Sequence, residues 1–99
     1  MVGRKVTWSN RAKIKMFAIF DFYTERNNSP AYAKKLYKRF RKELALLDAQ
    51  PELGILTDEE EIRGLIVENF ILFYEVNSTT IFVHTIWDCR QNPNDLRIL

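Results

Sequence analysis

The spacing of apolar residues in the first half of the chain predicts a short strand followed by two amphipathic helices. Lys5–Trp8 is β-prone, and Ser9 is a suitable N-cap for a helix from residue 10 to about residue 26. Ser29-Pro30 predicts the start of a second helix, whose 3.6-residue periodicity continues through about Ala49. The predicted buried stripes are Ala12, Met16, Phe17, Phe20 and Tyr23, and then Ala33, Leu36, Tyr37, Phe40, Leu44 and Leu47.

The second half of the chain changes to the pattern of β-strands. Residues 62–67, 70–76 and 81–87 are rich in Ile, Val, Phe and Tyr. Glu68-Asn69 predicts a tight hairpin between the first two strands, and Asn77–Thr80 a longer one. The acidic run Asp58–Glu61 predicts a solvated loop. Candidate sheet residues beneath the helices are Val6, Leu65, Val67, Leu72, Tyr74, Val83 and Trp87.

The order β-α-α-β-β-β predicts an α+β fold, an antiparallel meander sheet with a helical hairpin packed on one face. Residues 1–99 are expected to form one domain, because a chain of this length can bury one hydrophobic core. The single cysteine excludes an internal disulfide and is typical of a reducing compartment. Since no apolar run reaches the roughly 18 residues of a membrane span, a cytoplasmic protein without membrane partners is expected.

The net charge of +2 conceals a strong asymmetry. Residues 1–50 hold 12 basic and 4 acidic side chains (+8), whereas residues 51–99 hold 3 and 9 (−6). The second helix concentrates the cations, which are either a solvated helix face or a surface for a polyanion such as RNA. The candidate nucleic-acid-binding residues are Lys34, Lys35, Lys38, Arg39, Arg41 and Lys42.

Several classes of chemistry find no support in the composition. One histidine and one cysteine cannot form a zinc site of the usual spacing, and three glycines form no phosphate-binding loop. No cofactor or metal is therefore predicted.

Five short motifs follow one another in a fixed order along the chain. They are Val6-Thr7-Trp8-Ser9, Pro51-Glu52-Leu53-Gly54, Ile62-Arg63-Gly64-Leu65, Asn69–Val76 and Ile86-Trp87-Asp88-Cys89-Arg90-Gln91-Asn92-Pro93. In this order and spacing the set resembles the RelE/ParE superfamily of toxins from bacterial type II toxin–antitoxin pairs. The resemblance covers nearly the whole chain and implies the same fold, a strand, two helices and a closing meander.

The resemblance implies a toxin that a cognate antitoxin neutralises. RelE-like members are ribosome-dependent endoribonucleases that cut mRNA and so inhibit translation, the activity expected first. ParE-like members act instead on DNA gyrase, and a non-toxic RNA or protein interaction module is a further alternative. A small neighbouring reading frame that encodes a DNA-binding antitoxin would separate the toxins from the interaction module.

Three residues are the candidates for catalysis. The family arginine at the end of the last strand corresponds to Arg90, and a basic position in the first strand of the meander corresponds to Arg63. His84 is the single histidine and a candidate general base. Each has a structural alternative: Arg90 can form a salt bridge with Asp88 or Glu75, Arg63 has acidic neighbours, and a strand histidine often hydrogen-bonds a neighbour. Residues 91–99 contain no tyrosine or histidine for proton transfer.

The antitoxin is expected to bind by folding a disordered segment onto the toxin. An apolar groove is predicted at the seam of the helical hairpin, near Phe17, Phe20, Tyr37 and Phe40. The cations of the second helix predict acidic residues in that segment.

Overall fold

The computed structural model describes residues 3–99. Two short 3₁₀ turns, Leu46–Asp48 and Pro93–Asp95, follow the second helix and the last strand. The predicted order of elements is confirmed, with one addition: the strand β2 has only two residues, too few for a period to be recognised. In chain order the elements are β1 (Lys5–Trp8), α1 (Asn10–Asn27), α2 (Ala31–Ala45), β2 (Ile55–Leu56), β3 (Arg63–Val67), β4 (Phe70–Val76) and β5 (Thr80–Asp88).

The sheet is mixed, with strand order β1-β5-β4-β3-β2. Strands β2 to β5 are antiparallel neighbours, as the meander requires. Strand β1 pairs in parallel with the outer side of β5, which the sequence did not predict. Two parallel strands need a long connection in the chain. Here the connection from β1 to β5 contains both helices and strands β2 to β4. The α+β class is confirmed, and β1 and β2 are the two edges of the sheet.

Both helices begin and end near the predicted residues. Ser9 caps α1, because its hydroxyl accepts a hydrogen bond from Ala12 N at 3.0 Å. Asn28 ends α1 in the left-handed conformation, with φ of 54°. At the start of α2, the Ser29 hydroxyl accepts from Ala31 N at 3.2 Å. None of the helices between residues 3 and 99 is long and apolar enough to cross a membrane.

The main core lies between the helices and one face of the sheet. Phe40 is fully buried and packs edge-on against Phe70, with ring centroids 5.9 Å apart. Phe17 departs from the predicted stripe, since its side chain is 59% exposed. It follows Met16 by one residue, and that step of about 100° around α1 carries it off the buried face. The buried members of this core include Ala12, Met16, Tyr23, Leu36, Phe40, Leu44, Leu65, Leu72, Tyr74 and Val83.

A β-bulge at His84 moves Trp87 to the opposite face of the sheet, so its predicted place beneath the helices is wrong. Tyr74 pairs with Val83, but Phe73 pairs with Thr85, which leaves one extra residue in β5. An extra residue exchanges the two faces for every later position of the strand. Trp87 therefore belongs to a second cluster, on the face away from the helices, with Ile62, Phe73 and the C-terminal residues Leu96 and Ile98.

Tyr74 fastens the turn before β2 to the sheet. Its hydroxyl accepts a hydrogen bond from Gly54 N and donates one to Pro51 O, both at 2.9 Å. Burial raises the pKa of Tyr74, so the phenol stays protonated and keeps its donated bond at ordinary pH. The predicted Pro-x-x-Gly turn is thus held by a buried phenol.

Candidate functional site

Arg90 follows β5 and is held by Asp88. Its guanidinium donates two hydrogen bonds to the carboxylate, at 3.0 and 2.7 Å, and its backbone N donates a third at 3.0 Å. The guanidinium also lies 5.6 Å from the ring centroid of Tyr23, within cation–π range. The side chain is 47% exposed. The salt bridge considered in the sequence is therefore present, and it positions a cation that a ligand can still reach.

The ion pair between Arg90 and Asp88 should make the free energy of unfolding depend on pH. Hydrogen bonds from the Arg90 side chain hold the pKa of Asp88 below its ordinary value. A depressed pKa stabilises the fold above the unfolded pKa of about 4, and this contribution is lost as pH falls through the folded value. Asp88→Asn should lower the free energy of unfolding at pH 7 by at most about 1 kcal/mol, because Arg90 is half exposed. Thermal melts from pH 7 down to about pH 2 should show this difference disappearing; a constant difference would contradict the assignment.

His84 lies in the bulge and faces away from the helices. Its Nε2 is 2.9 Å from Glu75 Oε1, and its ring meets that of Phe82 edge-on at 4.8 Å. Its carbonyl accepts a hydrogen bond from the Ser9 hydroxyl at 2.7 Å, which joins the start of α1 to the bulge. Arg90 lies beside Tyr23 of α1 and is therefore on the helix side of the sheet. His84 and Arg90 are thus on opposite faces of the sheet.

Arg63 is also distant from Arg90. It pairs with Tyr74 in β4, and Asp88 pairs with Phe70, four residues away in that same strand. At roughly 3.4 Å per residue, Arg63 and Asp88 are separated by roughly 14 Å along the strand direction. Arg63 donates hydrogen bonds to Glu52 O at 3.3 Å and Gly54 O at 3.0 Å. The three candidates for catalysis are therefore not brought together.

The six candidate nucleic-acid-binding residues of α2 are all exposed. At about 100° per residue they cover an arc of about 160° around the helix. Among residues 3–99, Arg39 is the one member with ion pairs, to Glu43 at 3.5 Å and Glu68 at 3.1 Å. A groove of about 350 Å³ separates this side of α2 from the β3–β4 hairpin. It is lined by Tyr32, Lys35, Leu36, Lys38, Arg39, Lys42 and Glu68.

Tyr23 and Tyr32 connect Arg90 to this groove. Their ring centroids are 4.8 Å apart. Arg90 lies over the ring of Tyr23, and Tyr32 lines the groove. Sequence reasoning assigned Tyr23 to the core and passed over Tyr32, because the contact joins two helices and has no signal in residue spacing. We call the surface formed by Arg90, Lys35, Lys38, Arg39 and Lys42 the cationic face.

An apolar trough lies on the other flank of α2. A depression of about 410 Å³ at the helix seam and one of about 560 Å³ between α2 and β1 share Tyr37 as a lining residue. Lys34 and Arg41 line its two parts. The predicted seam groove is present, except that Phe40 is buried beneath it. The apolar trough is lined by Met16, Phe17, Phe20, Ala33, Tyr37, Val6, Trp8 and Leu44.

Comparison with known proteins identifies a family whose model matches this chain. Residues 6–93 match the family model described as "ParE toxin of type II toxin-antitoxin system, parDE". No curated protein matches the sequence. A chain in a solved structure titled "Chromosomal ParDE TA system from P. aeruginosa" superposes with a TM-score of 0.70 and 21% identity, covering 87% of this chain and 96% of that chain. At that identity the superposition supports the fold.

Proposed function

The chain belongs to the family of ParE toxins of type II toxin–antitoxin systems, within the RelE/ParE superfamily, and from this premise we propose that it arrests growth by inhibiting DNA gyrase. Gyrase is the target associated with ParE-like members, as the sequence resemblance already implied. The proposal places the protein in the cytoplasm, acting as one domain on a complex that contains DNA.

The observation that carries this choice is the dispersal of the residues expected to cut RNA. Cleavage by a 2′-hydroxyl needs a proton acceptor within hydrogen-bond reach of the phosphate that the cations hold. His84 is on the other face of the sheet, and Arg63 is roughly 14 Å away along the strand direction. Tyr32 is near Arg90, but burial raises the pKa of its phenol, which disfavours the phenolate that a general base would need.

The antitoxin is expected to occupy the apolar trough. The trough combines exposed aromatic side chains with Lys34 and Arg41 at its margin, a pattern that suits an amphipathic acidic segment. The outer side of β1 also lacks a strand in the described part of the chain, and a partner can cover such an edge. We expect a complex that buries more than about 1,200 Å² in total, the size of a stable specific interface. Co-expression should then rescue growth and raise the melting temperature.

The cationic face is expected to contact the DNA held by the target. Lys35, Lys38 and Lys42 are exposed and form no ion pair among residues 3–99. Replacing these three residues by Gln should flatten the slope of log affinity against log salt for duplex DNA by about two to three units, because fewer counterions are released. A triple Gln variant at the exposed cations Lys5, Lys13 and Arg26 is the matched control. An unchanged slope in the first variant would show that the face is only solvated.

A cell experiment distinguishes gyrase inhibition from mRNA cutting. After induction without antitoxin, a reporter plasmid should lose negative supercoiling while primer extension finds intact messages. Codon-positioned cuts in translated messages, with normal plasmid supercoiling, would refute the gyrase proposal and support a ribonuclease. Growth that continues normally, with confirmed expression of folded protein, would count against toxicity itself.

A further inference from the structure

The β2 edge of the sheet carries a second exposed apolar surface, far from the apolar trough in strand order. β2 pairs with β3 on one side, and among residues 3–99 no strand covers its other side. Ile55 is 51% exposed and Ile66 is 57% exposed. Single exposed apolar residues are ordinary, whereas a contiguous patch at an open strand edge marks an interaction site.

The side chains at this edge form one strip over Gly64. Ile55 pairs with Gly64, and Ile66 pairs with Ile71. A Cβ placed on Gly64 would lie 2.9 Å from Ile71 Cγ2 and 3.4 Å from Ile55 Cγ1, so both side chains reach across the glycine. Gly64 and Ile66 lie on the same face of β3, because alternate residues share a face. The strip therefore lies on the face away from the helices.

The surroundings of this strip are acidic. The exposed run Asp58–Glu61 begins two residues after the last residue of β2. A cleft of about 440 Å³ beside it is lined by Glu52, Glu60, Glu61 and Glu75 together with Arg63. Arg63 is already engaged by the carbonyls of Glu52 and Gly54, and His84 binds Glu75. Within residues 3–99, the carboxylates of Glu52, Glu60 and Glu61 have no ion-pair partner.

We propose that the β2 edge binds an extended basic segment of a partner protein as an added strand. Main-chain hydrogen bonds to β2 would supply affinity, and alternate apolar side chains would cover Ile55 and Ile66. Lys or Arg at the intervening positions and the ends would complement the carboxylates. A second copy of the chain is disfavoured, because its own β2 edge carries the same negative charge. The acidic segment expected in the apolar trough is disfavoured for the same reason, so this site does not depend on the proposed function.

Three short capped peptides test the site on the folded full chain. The probe alternates Lys and Val, one comparison alternates Glu and Val, and the other alternates Lys and Ser. The Lys/Val peptide should bind at least about tenfold more tightly than either comparison, since it alone combines positive charge with apolar contact. Amide chemical shifts should change at Ile55, Leu56 and Ile66. Equal affinity for Lys/Val and Lys/Ser, or shifts confined to other elements, would overturn the proposal.

Variants at exposed positions provide the matched controls. Glu60→Gln combined with Glu61→Gln should weaken Lys/Val binding by about three- to tenfold, through the loss of two surface charge contacts. Ile66→Thr should weaken it as well, while keeping a β-branched residue in the strand. Two control variants remove the same kinds of side-chain group on α1: Asp21→Asn with Glu25→Gln, and separately Ile14→Thr. Neither control should change the affinity for the Lys/Val peptide. Binding that survives both edge variants, with unchanged melting temperatures, would also refute the site.

Discussion

Toxin carrying Phe17→Glu and Tyr37→Glu should escape neutralisation by its antitoxin. The two rings are 59% and 36% exposed on the apolar trough, so they are available as anchors for a partner. Buried aromatic anchors dominate protein interfaces, and the new carboxylates would also repel an acidic segment. We expect the affinity for the antitoxin to fall by more than about 100-fold. Because Tyr37 also packs edge-on against Phe20, with ring centroids 5.9 Å apart, the melting temperature of the variant is measured beside its affinity.

Titration calorimetry with the purified antitoxin measures this loss, and growth under co-expression reports its consequence. Ile14→Glu is the matched control, since Ile14 is exposed on α1 outside the trough. It should bind and be neutralised as wild type is. If the double variant is neutralised equally well, the antitoxin does not occupy the apolar trough.

Gly54→Ala should destabilise the fold strongly. A Cβ at this position would lie 2.7 Å from Tyr74 Cε1 and 2.8 Å from both the Tyr74 hydroxyl and the backbone oxygen of Gly64. Because the Gly64 oxygen belongs to the sheet, it cannot move aside as a side-chain tip can. Overpacking of this kind typically costs about 1–3 kcal/mol, or roughly 5–20 °C in melting temperature for a domain of this size.

Two further variants separate the steric effect from the hydrogen bonds. Gly64→Ala should cost less, since its closest contact, 2.9 Å, is with Ile71 Cγ2 at the end of a side chain. Tyr74→Phe should cost about 1–3 kcal/mol by leaving Gly54 N–H and Pro51 C=O without their partner. Thermal melts of the three variants should therefore rank Gly64→Ala as the mildest. A Gly54→Ala protein as stable as wild type would show that the turn is free to move.

Much of the fold could be read from periodicity, and the exceptions have local causes. The two helices have caps and apolar stripes, and Glu68-Asn69 marks its hairpin directly. The bulge at His84 has no such signature, because an extra residue is visible only when the partner strand is known. Trp87 was therefore placed on the wrong face. The parallel pairing of β1 with β5 also depends on tertiary contacts that the spacing of residues does not contain.

The candidate site was readable only in part. The cations of α2 are consecutive in sequence, and the Arg90–Asp88 pair is separated by two positions, so both were accessible to local reasoning. Helix packing brings Tyr23 and Tyr32 close to Arg90. Strand register separates Arg63 from Arg90. The dispersal of the three candidates supports our proposal of gyrase as the target, whereas the local sequence pattern favoured RNA cleavage.

Supercoiling of relaxed plasmid by purified gyrase is the measurement that tests the account most directly. The purified chain should block supercoiling at near-stoichiometric amounts, and prior addition of the antitoxin should restore it. Full supercoiling in the presence of a large excess of folded, antitoxin-free protein would contradict the account.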